Sequence, residues 1–331
     1  MAVPVKALQK AAAVLLRMVL LLLGVSFFSF ILIVSAPVDP VTAFVGAESG
    51  VSEEQKALVA EYWGLNQTPV ERYRTWLSHV LKGDMGMSLA FKRPVSAILR
   101  ERVSASLALM FSAWICSGVL GFMLGVACGA RPYSLFDKLV RTFCFVLSST
   151  PVFWIGLLFL MFFSVYLGWL PLGLSVPVGK MARDVTLTDR IYHLILPACT
   201  LSITGVASIA LHTRQKLIDV LESDYALFAR ARGERGWQLI RRHGLRNVAI
   251  PAVTVQFASF SELFGGSVLA ENVFSYPGLG SAVSLAGNQG DLPLFLGVAL
   301  FSALFVFVGN LTANMLYGLV NPEIREGNVP V

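Results

Sequence analysis

Charge is what this sequence has least of. Asp, Glu, Lys and Arg make up 14% of its 331 residues, against roughly 25% in soluble domains. Hydrophobic residues make up 56%, and the mean hydropathy is +0.70. Length alone would allow a soluble two-domain enzyme; the segregation of charge into blocks between long apolar runs excludes it. Cysteine is scarce. Cys116, Cys128, Cys144 and Cys199 lie in or beside apolar runs and form no CxxC pair, so they read as small buried hydrophobes, not disulfides or metal ligands. His79, His193, His212 and His243 are scattered and build no His-Glu-x-x-His signature, and Met85 and Met87 in their Gly-rich turn read as packing more readily than as a metal route. A phosphate loop is also missing: Gly173 to Gly179-Lys180-Met181 has the wrong spacing and no hydroxyl for magnesium. No Ser-His-Asp set can be assembled either. The expectation is a chain that binds no cofactor and is not itself an enzyme.

What is present is a series of spans. Charged side chains are missing between Arg17 and Asp39, Arg102 and Arg131, Arg141 and Lys180, and Arg190 and Arg214. A fifth run extends from about Asn247 to Glu271 and contains one acid, Glu262; a sixth extends from Asp291 toward Glu323. Each exceeds the ~20 residues that cross about 30 Å of hydrocarbon. Six transmembrane helices in one all-α integral membrane domain, residues 1–331, are therefore predicted. The first span is long and lacks a small-residue cleavage pattern before Pro37, which disfavours a signal peptide. Lys6, Lys10 and Arg17, then Arg131, Lys138 and Arg141, then the arginines after Arg214 fall on one side of an alternating chain. The positive-inside rule makes that side cytoplasmic, with both termini inside; Lys180, Arg183 and Arg190 are a mild conflict, partly balanced by Asp184 and Asp189.

Residues 37–102 are too polar to span and read as a small extracytoplasmic helical insertion. Ser52-Glu53-Glu54-Gln55 has capping-box form. Val70, Tyr73, Leu77 and Val80-Leu81 share one helical face, which Gly83 can terminate.

The most informative stretch is polar and basic. Asp224-Tyr225-Ala226-Leu227-Phe228-Ala229-Arg230-Ala231-Arg232-Gly233 leads through Gly236-Trp237 and Arg241-Arg242-His243 to Arg246-Asn247 and Pro251. Charge alone would make this a lipid-facing positive-inside loop. The order of its motifs resembles the coupling loop in membrane subunits of ABC importers of the oligopeptide, dipeptide and nickel permease family. The likeness extends along the chain: Gly83-Asp84, Gly86 and Ser88, then Arg93-Pro94-Val95; Pro151 with Phe153-Trp154; Gly168-Trp169-Leu170-Pro171; His193 with Ile195-Leu196-Pro197; Glu271-Asn272 with Phe274 and Pro277-Gly278-Leu279-Gly280. Three positions depart from the family pattern. The usual Asp-Pro-Arg-Ile-Arg here reads Asn321-Pro322-Glu323-Ile324-Arg325, and Asn314 stands where an acid is common.

The resemblance implies a permease in the bacterial inner membrane, forming half of a translocation pathway for peptides or a nickel or other metal chelate. It implies a homologous second permease, two ATPase subunits that bind ATP and magnesium, and an external solute-binding protein; membrane lipid completes the expected partners, and nucleic acid has no place among them. Within residues 213–247, the likeness assigns ATPase coupling to Asp224, Tyr225, Phe228, Ala229, Arg230, Arg232, Gly233, Arg241 and Arg242. Tyr225, Leu227, Phe228 and Ala229 supply an inserted face, the arginines pair with acids or lipid headgroups, and Gly233 allows a sharp exit that a side chain would obstruct. For the pathway, polar groups within spans are the candidates, since burying them in lipid is costly. Glu262 lies one turn from Gly265 and Gly266, and Asn310 one turn from Asn314. A continuous helix would carry Glu262 about 24 Å beyond Arg246, where it either faces cargo or makes a helix-helix hydrogen bond; Trp154 either lines the path or packs. A secondary transporter with its own ion coupling is the alternative, although no internal repeat is evident.

Overall fold

The computed structural model describes residues 5–36, 54 and 67–320. Ser52, Glu53 and Gln55 of the expected capping box and the motif at residues 321–325 lie outside the described residues, as does the side chain of Asn314. Every described regular element is helical; one isolated bridge joins Met87 to Pro94. The helices are α1 Val5–Ser35, α2 Pro69–Leu81, α3 Val95–Ala130, α4 Leu135–Ser148, α5 Val152–Phe159, α6 Leu187–Glu222, α7 Asp224–Ala231, α8 Gly236–Leu239, α9 Leu245–Ala258, α10 Phe260–Val273, α11 Leu279–Gln289 and α12 Leu292–Val320.

Among the described residues, four helices are long and apolar enough to cross a membrane unaided: α1, α3, α6 and α12. Two bent pairs raise the number to six if each is one span. In the first, α4 and α5, prolonged by a π-helical segment to Tyr166, meet at 109°; in the second, α8 through α9 meets α10 at 51°. Pro151 accounts for the first break, because it donates no backbone hydrogen bond and disfavours helix in the residue before it. The second break has no proline; the chain turns at Ser259.

The chain divides into two compact units, Met1–Ala105 with Pro277–Phe307, and Ser106–Tyr276 with Val308–Val331. In the first, α2 begins at Thr68, whose hydroxyl accepts from the Glu71 amide while the Glu71 carboxylate accepts from the Thr68 hydroxyl and amide. Those two donations hold the Glu71 carboxyl below its ordinary range. At the other end, Gly83 and Asp84 donate to the carbonyls of Val80 and His79, closing the helix where its apolar face ends. That face packs: Trp76 joins Phe30 and Leu296 in a small core, and the Tyr73 hydroxyl lies 2.8 Å from Ser26 Oγ. The Gly86-to-Pro94 turn is pinned by Asp291, the residue before α12. Its carboxylate accepts from Ser88 Oγ (2.5 Å), the Ala90 amide (3.0 Å) and the Leu294 amide (3.1 Å). Asp291 thus ties the Ser88 motif in place and at the same time caps α12.

In the second unit, α6 is the axis, packed against α9, α4, α5 and α10. Three glycines one turn apart on α3 let it approach α6 closely. A Cβ at Gly121, Gly125 or Gly129 would lie 2.8, 2.5 or 2.9 Å from the Cβ of Ile209, Thr213 or Leu217. Ordinary carbon contacts are about 3.5–4.0 Å, so this packing requires glycine. Family motifs meet at the other end of α6. His193 Nδ1 is 2.9 Å from the Gly173 carbonyl, the Tyr192 hydroxyl donates to the Trp169 carbonyl, and the Leu174 amide donates to the carbonyl of fully buried Phe274.

Candidate coupling site

The sequence reading starts the coupling loop at residue 213; the structure instead continues α6 eight residues past Arg214 to Glu222, so the loop's first ten residues are helix. Ser223 is extended (φ −72°, ψ 157°), which ends α6 and starts α7 in a new direction. Asp224 opens α7, where a carboxylate opposes the positive end of the helix dipole. Small residues face inward: Ala226 and Ala229 are fully buried. Ala229 therefore packs against its own chain and is not part of an inserted face. Tyr225, Leu227 and Phe228 point outward, Phe228 with 72% of its surface exposed.

The end of α7 explains its glycine. The Gly233 amide donates to Arg230 O (2.9 Å) and the Glu234 amide to Ala229 O (3.1 Å), the double closure of a left-handed helix stop. Gly233 has φ +92°, and a Cβ there would meet nothing within 4 Å. The requirement is torsional, not steric, which corrects the expectation that a side chain would be obstructed.

After the turn, Glu234 is 3.2 Å from His243 Nε2 and 3.5 Å from Arg242 Nη1. Asn247 donates to the Tyr225 hydroxyl (3.2 Å) and to the His243 carbonyl (2.8 Å). Beneath, Leu217, Ile240, Val248 and Val126 form one buried cluster. The exposed helix is tied to α9 through Tyr225 and Asn247 and seated on its own chain through buried Ala226 and Ala229, beside that apolar cluster. A groove of about 450 Å³ runs along it, lined by Tyr225, Phe228, Ala231, Arg232 and His243. Arg230, Arg232 and Arg241 are exposed and form no ion pair among the described residues; Arg242 is exposed as well but reaches Glu234.

Sequence reasoning missed a second network. Asp137, fully buried, accepts from Arg214 Nε (2.5 Å) and Nη2 (2.8 Å) and from the Tyr133 amide (2.8 Å). Ser134 caps α4 through the Asp137 amide, and the Arg214 guanidinium lies 5.9 Å from the Tyr133 ring centroid. This ties the turn between α3 and α4 to α6, two helical turns before α7. One signal was available: Ser134-x-x-Asp137 is a capping pattern, and Asp137 is an isolated acid among Arg131, Lys138 and Arg141. Its partner, 77 positions away, had no local signal.

The pathway candidates separate. Glu262 lies in the first turn of α10, just after the break at Ser259, so the distance along a continuous helix from Arg246 does not apply. It is exposed, and its carboxylate has no hydrogen bond or ion pair among the described residues. Gly265 shares that open face, whereas Gly266 packs on Leu201. Asn310 accepts from Ser261 Oγ, a structural bond between α10 and α12. Trp154 is half exposed in the first turn of α5.

Fold and site together define a polytopic membrane subunit that presents a short helix, anchored by buried alanines, with an exposed apolar face. Residues 121–326 match the family described as binding-protein-dependent transport system inner membrane component, and the chain belongs to that family. It is 35% identical over 306 residues to the oligopeptide transport system permease protein AppB of Bacillus subtilis, covering 92% of this chain and 95% of that one. It is 34% identical over 318 residues to the di/tripeptide transport system permease protein DppB of Pseudomonas aeruginosa (92% and 94%). It is 35% identical over 312 residues to the glutathione transport system permease protein GsiC of Salmonella typhimurium (94% and 97%). The chain is a permease subunit of an ABC importer in the inner membrane.

Proposed function

We propose that this permease imports short peptides, delivered by an external solute-binding protein, and that α7 couples it to separate ATPase subunits. One observation carries the coupling assignment: α7 is anchored by buried Ala226 and Ala229 and by the Asn247–Tyr225 bond, yet offers Leu227 and Phe228, with the Tyr225 ring, to a partner. Peptide is favoured over nickel or another metal chelate because the similar permeases are named for oligopeptides, di- and tripeptides and glutathione. ATP and magnesium belong to the ATPases in this reading, and the permease subunit is non-catalytic. A homologous second permease completes the pathway, and both termini and α7 lie in the cytoplasm. Asp224, Arg230, Arg232, Arg241 and Arg242 supply the charged rim of the docking surface. Glu262 faces the pathway, where its carboxylate attracts the amino terminus of a peptide; Trp154 and Asn314 are secondary pathway candidates.

Competition distinguishes the cargoes. With the assembled complex and its binding protein in proteoliposomes, an excess of unlabelled tri- or tetrapeptide should abolish ATP-dependent uptake of a labelled peptide. A nickel chelate that competes equally, or that is itself accumulated when peptide is not, overturns the peptide assignment.

A further inference from the structure

A second groove, of about 510 Å³, opens where α3 ends, bounded by Ala130, Arg131, Ser134 and Phe136 on one side and by Trp237 and Ile240 on the other. Its walls combine two chemistries. Arg131 is exposed and makes no ion pair among the described residues, and the Ser134 hydroxyl accepts from the Asp137 amide while its own proton has no acceptor among them. Trp237 and Phe136 are exposed aromatics, Trp237 at 60%.

From this groove an apolar track leaves along α4. Leu135, Leu139, Phe143 and Val146 succeed one another at helical spacing and are all exposed, whereas Asp137 and Cys144 on the opposite face are buried. Lys138, one turn beyond Ser134, is a second exposed cation without an ion pair among the described residues. Two hydrogen-bond donors to an anion, an aromatic rim and a continuing apolar stripe call for one ligand carrying a phosphate and an acyl chain.

We infer that this groove holds an anionic phospholipid, its phosphate at Arg131 and Ser134, its glycerol region against Trp237, and one acyl chain along Leu135, Leu139 and Phe143. The volume suits a headgroup, since small-ligand sites occupy about 300–1,000 Å³, and the chain lies outside it on the stripe. Charge complementarity selects this occupant. A zwitterionic lipid brings its own ammonium beside Arg131 and Lys138, a soluble anion leaves the stripe uncovered, and a soluble protein domain has no phosphate and acyl chain to match the cations and the apolar stripe together. Placement of a tryptophan and an arginine at the end of a span also matches how these residues anchor at the membrane interface. Because Trp237 and Ile240 follow α7 directly, the lipid would brace the downstream side of the coupling segment.

The test uses the purified complex and native mass spectrometry with phosphatidylglycerol or phosphatidylcholine added. The wild type should retain phosphatidylglycerol at least tenfold better than phosphatidylcholine, and an equal concentration of inorganic phosphate should not displace it. Arg131→Gln with Ser134→Ala should remove most of that preference, and Arg131→Lys should restore part of it. Arg183→Gln, far along the chain in another loop, should change nothing. Equal retention of the two lipids, displacement by phosphate, or undiminished retention by the double variant overturns the inference. Loss of the ATPase subunits from the double variant with lipid retention intact also overturns it and makes the groove a protein dock. Lipid retention is read without transport, so the outcome is independent of the peptide assignment.

Discussion

Asp137→Ala removes the carboxylate that Arg214 and the Tyr133 amide share, and leaves the guanidinium 7% exposed with no counter-charge. The two guanidinium hydrogen bonds disappear, at about 1.5–3 kcal/mol each, or about 3–6 kcal/mol together, and the Tyr133 amide loses its acceptor with them. Breaking one side of a buried ion pair costs about 3–5 kcal/mol in measured cases, which agrees. Tyr133 adds to this, because its left-handed backbone (φ +63°) is held by the same carboxylate. At about 2–4 °C per kcal/mol for a unit of this size, the melting temperature should fall by about 6–20 °C. Replacing both partners, Asp137→Leu with Arg214→Met, removes the charges together and should recover most of the loss, since apolar substitutes for a buried pair are often neutral or better. Thermal denaturation of the purified complex, followed by loss of the monodisperse peak on size exclusion, measures both. A single variant that melts within about 2 °C of wild type, or a double variant no better than the single one, refutes the argument that this pair holds α4 to α6.

Gly233→Ala should cost about 1–2 kcal/mol through its backbone torsion alone, and Gly233→Asp should reduce peptide transported per ATP hydrolysed while the protein still inserts; unchanged transport would make Gly233 a permissive loop residue. Gly125→Leu drives a side chain into Thr213, and such overpacking costs about 1–3 kcal/mol, so the variant should melt earlier than Gly24→Leu, where a Cβ meets nothing within 4 Å. Glu262→Gln should lower uptake of peptides with a free amino terminus and leave assembly and basal ATP hydrolysis intact; equal uptake at equal expression, or lost assembly, counts against its pathway role. A cysteine placed at Ser78 should react with an impermeant reagent in intact cells, and labelling only after membrane disruption would reverse the proposed topology.

The spans were legible because lipid imposes a coarse rule: about twenty residues without charge. Breaks within them were less so. Pro151 signals the 109° bend, but the turn at Ser259 has no such residue, and Glu262 was consequently placed by a helix that is not continuous. Helix α2 and its stop at Gly83 follow from local spacing, as does the glycine after α7. The direction of α7 does not: Tyr225, Leu227, Phe228 and Ala229 are all apolar, and only packing on α6 and α9 decides that Ala229 turns inward. Long-range ties are the least visible in a single sequence. Asp137 with Arg214, Ser88 with Asp291 and Ser261 with Asn310 are separated by 77, 203 and 49 positions, and no periodic pattern links them.

The central claim is that α7 passes the work of separate ATPases to this permease. The direct measurement is ATP-dependent accumulation of labelled peptide in proteoliposomes containing this chain, its second permease, the ATPases and the binding protein, compared with a Leu227→Asp, Phe228→Asp variant. Both side chains are exposed, so the variant should fold and assemble its spans normally, yet lose the ATPase subunits and at least nine-tenths of the uptake. Undiminished uptake and ATPase retention in the variant, or accumulation by this chain alone driven by an ion gradient, would contradict the account.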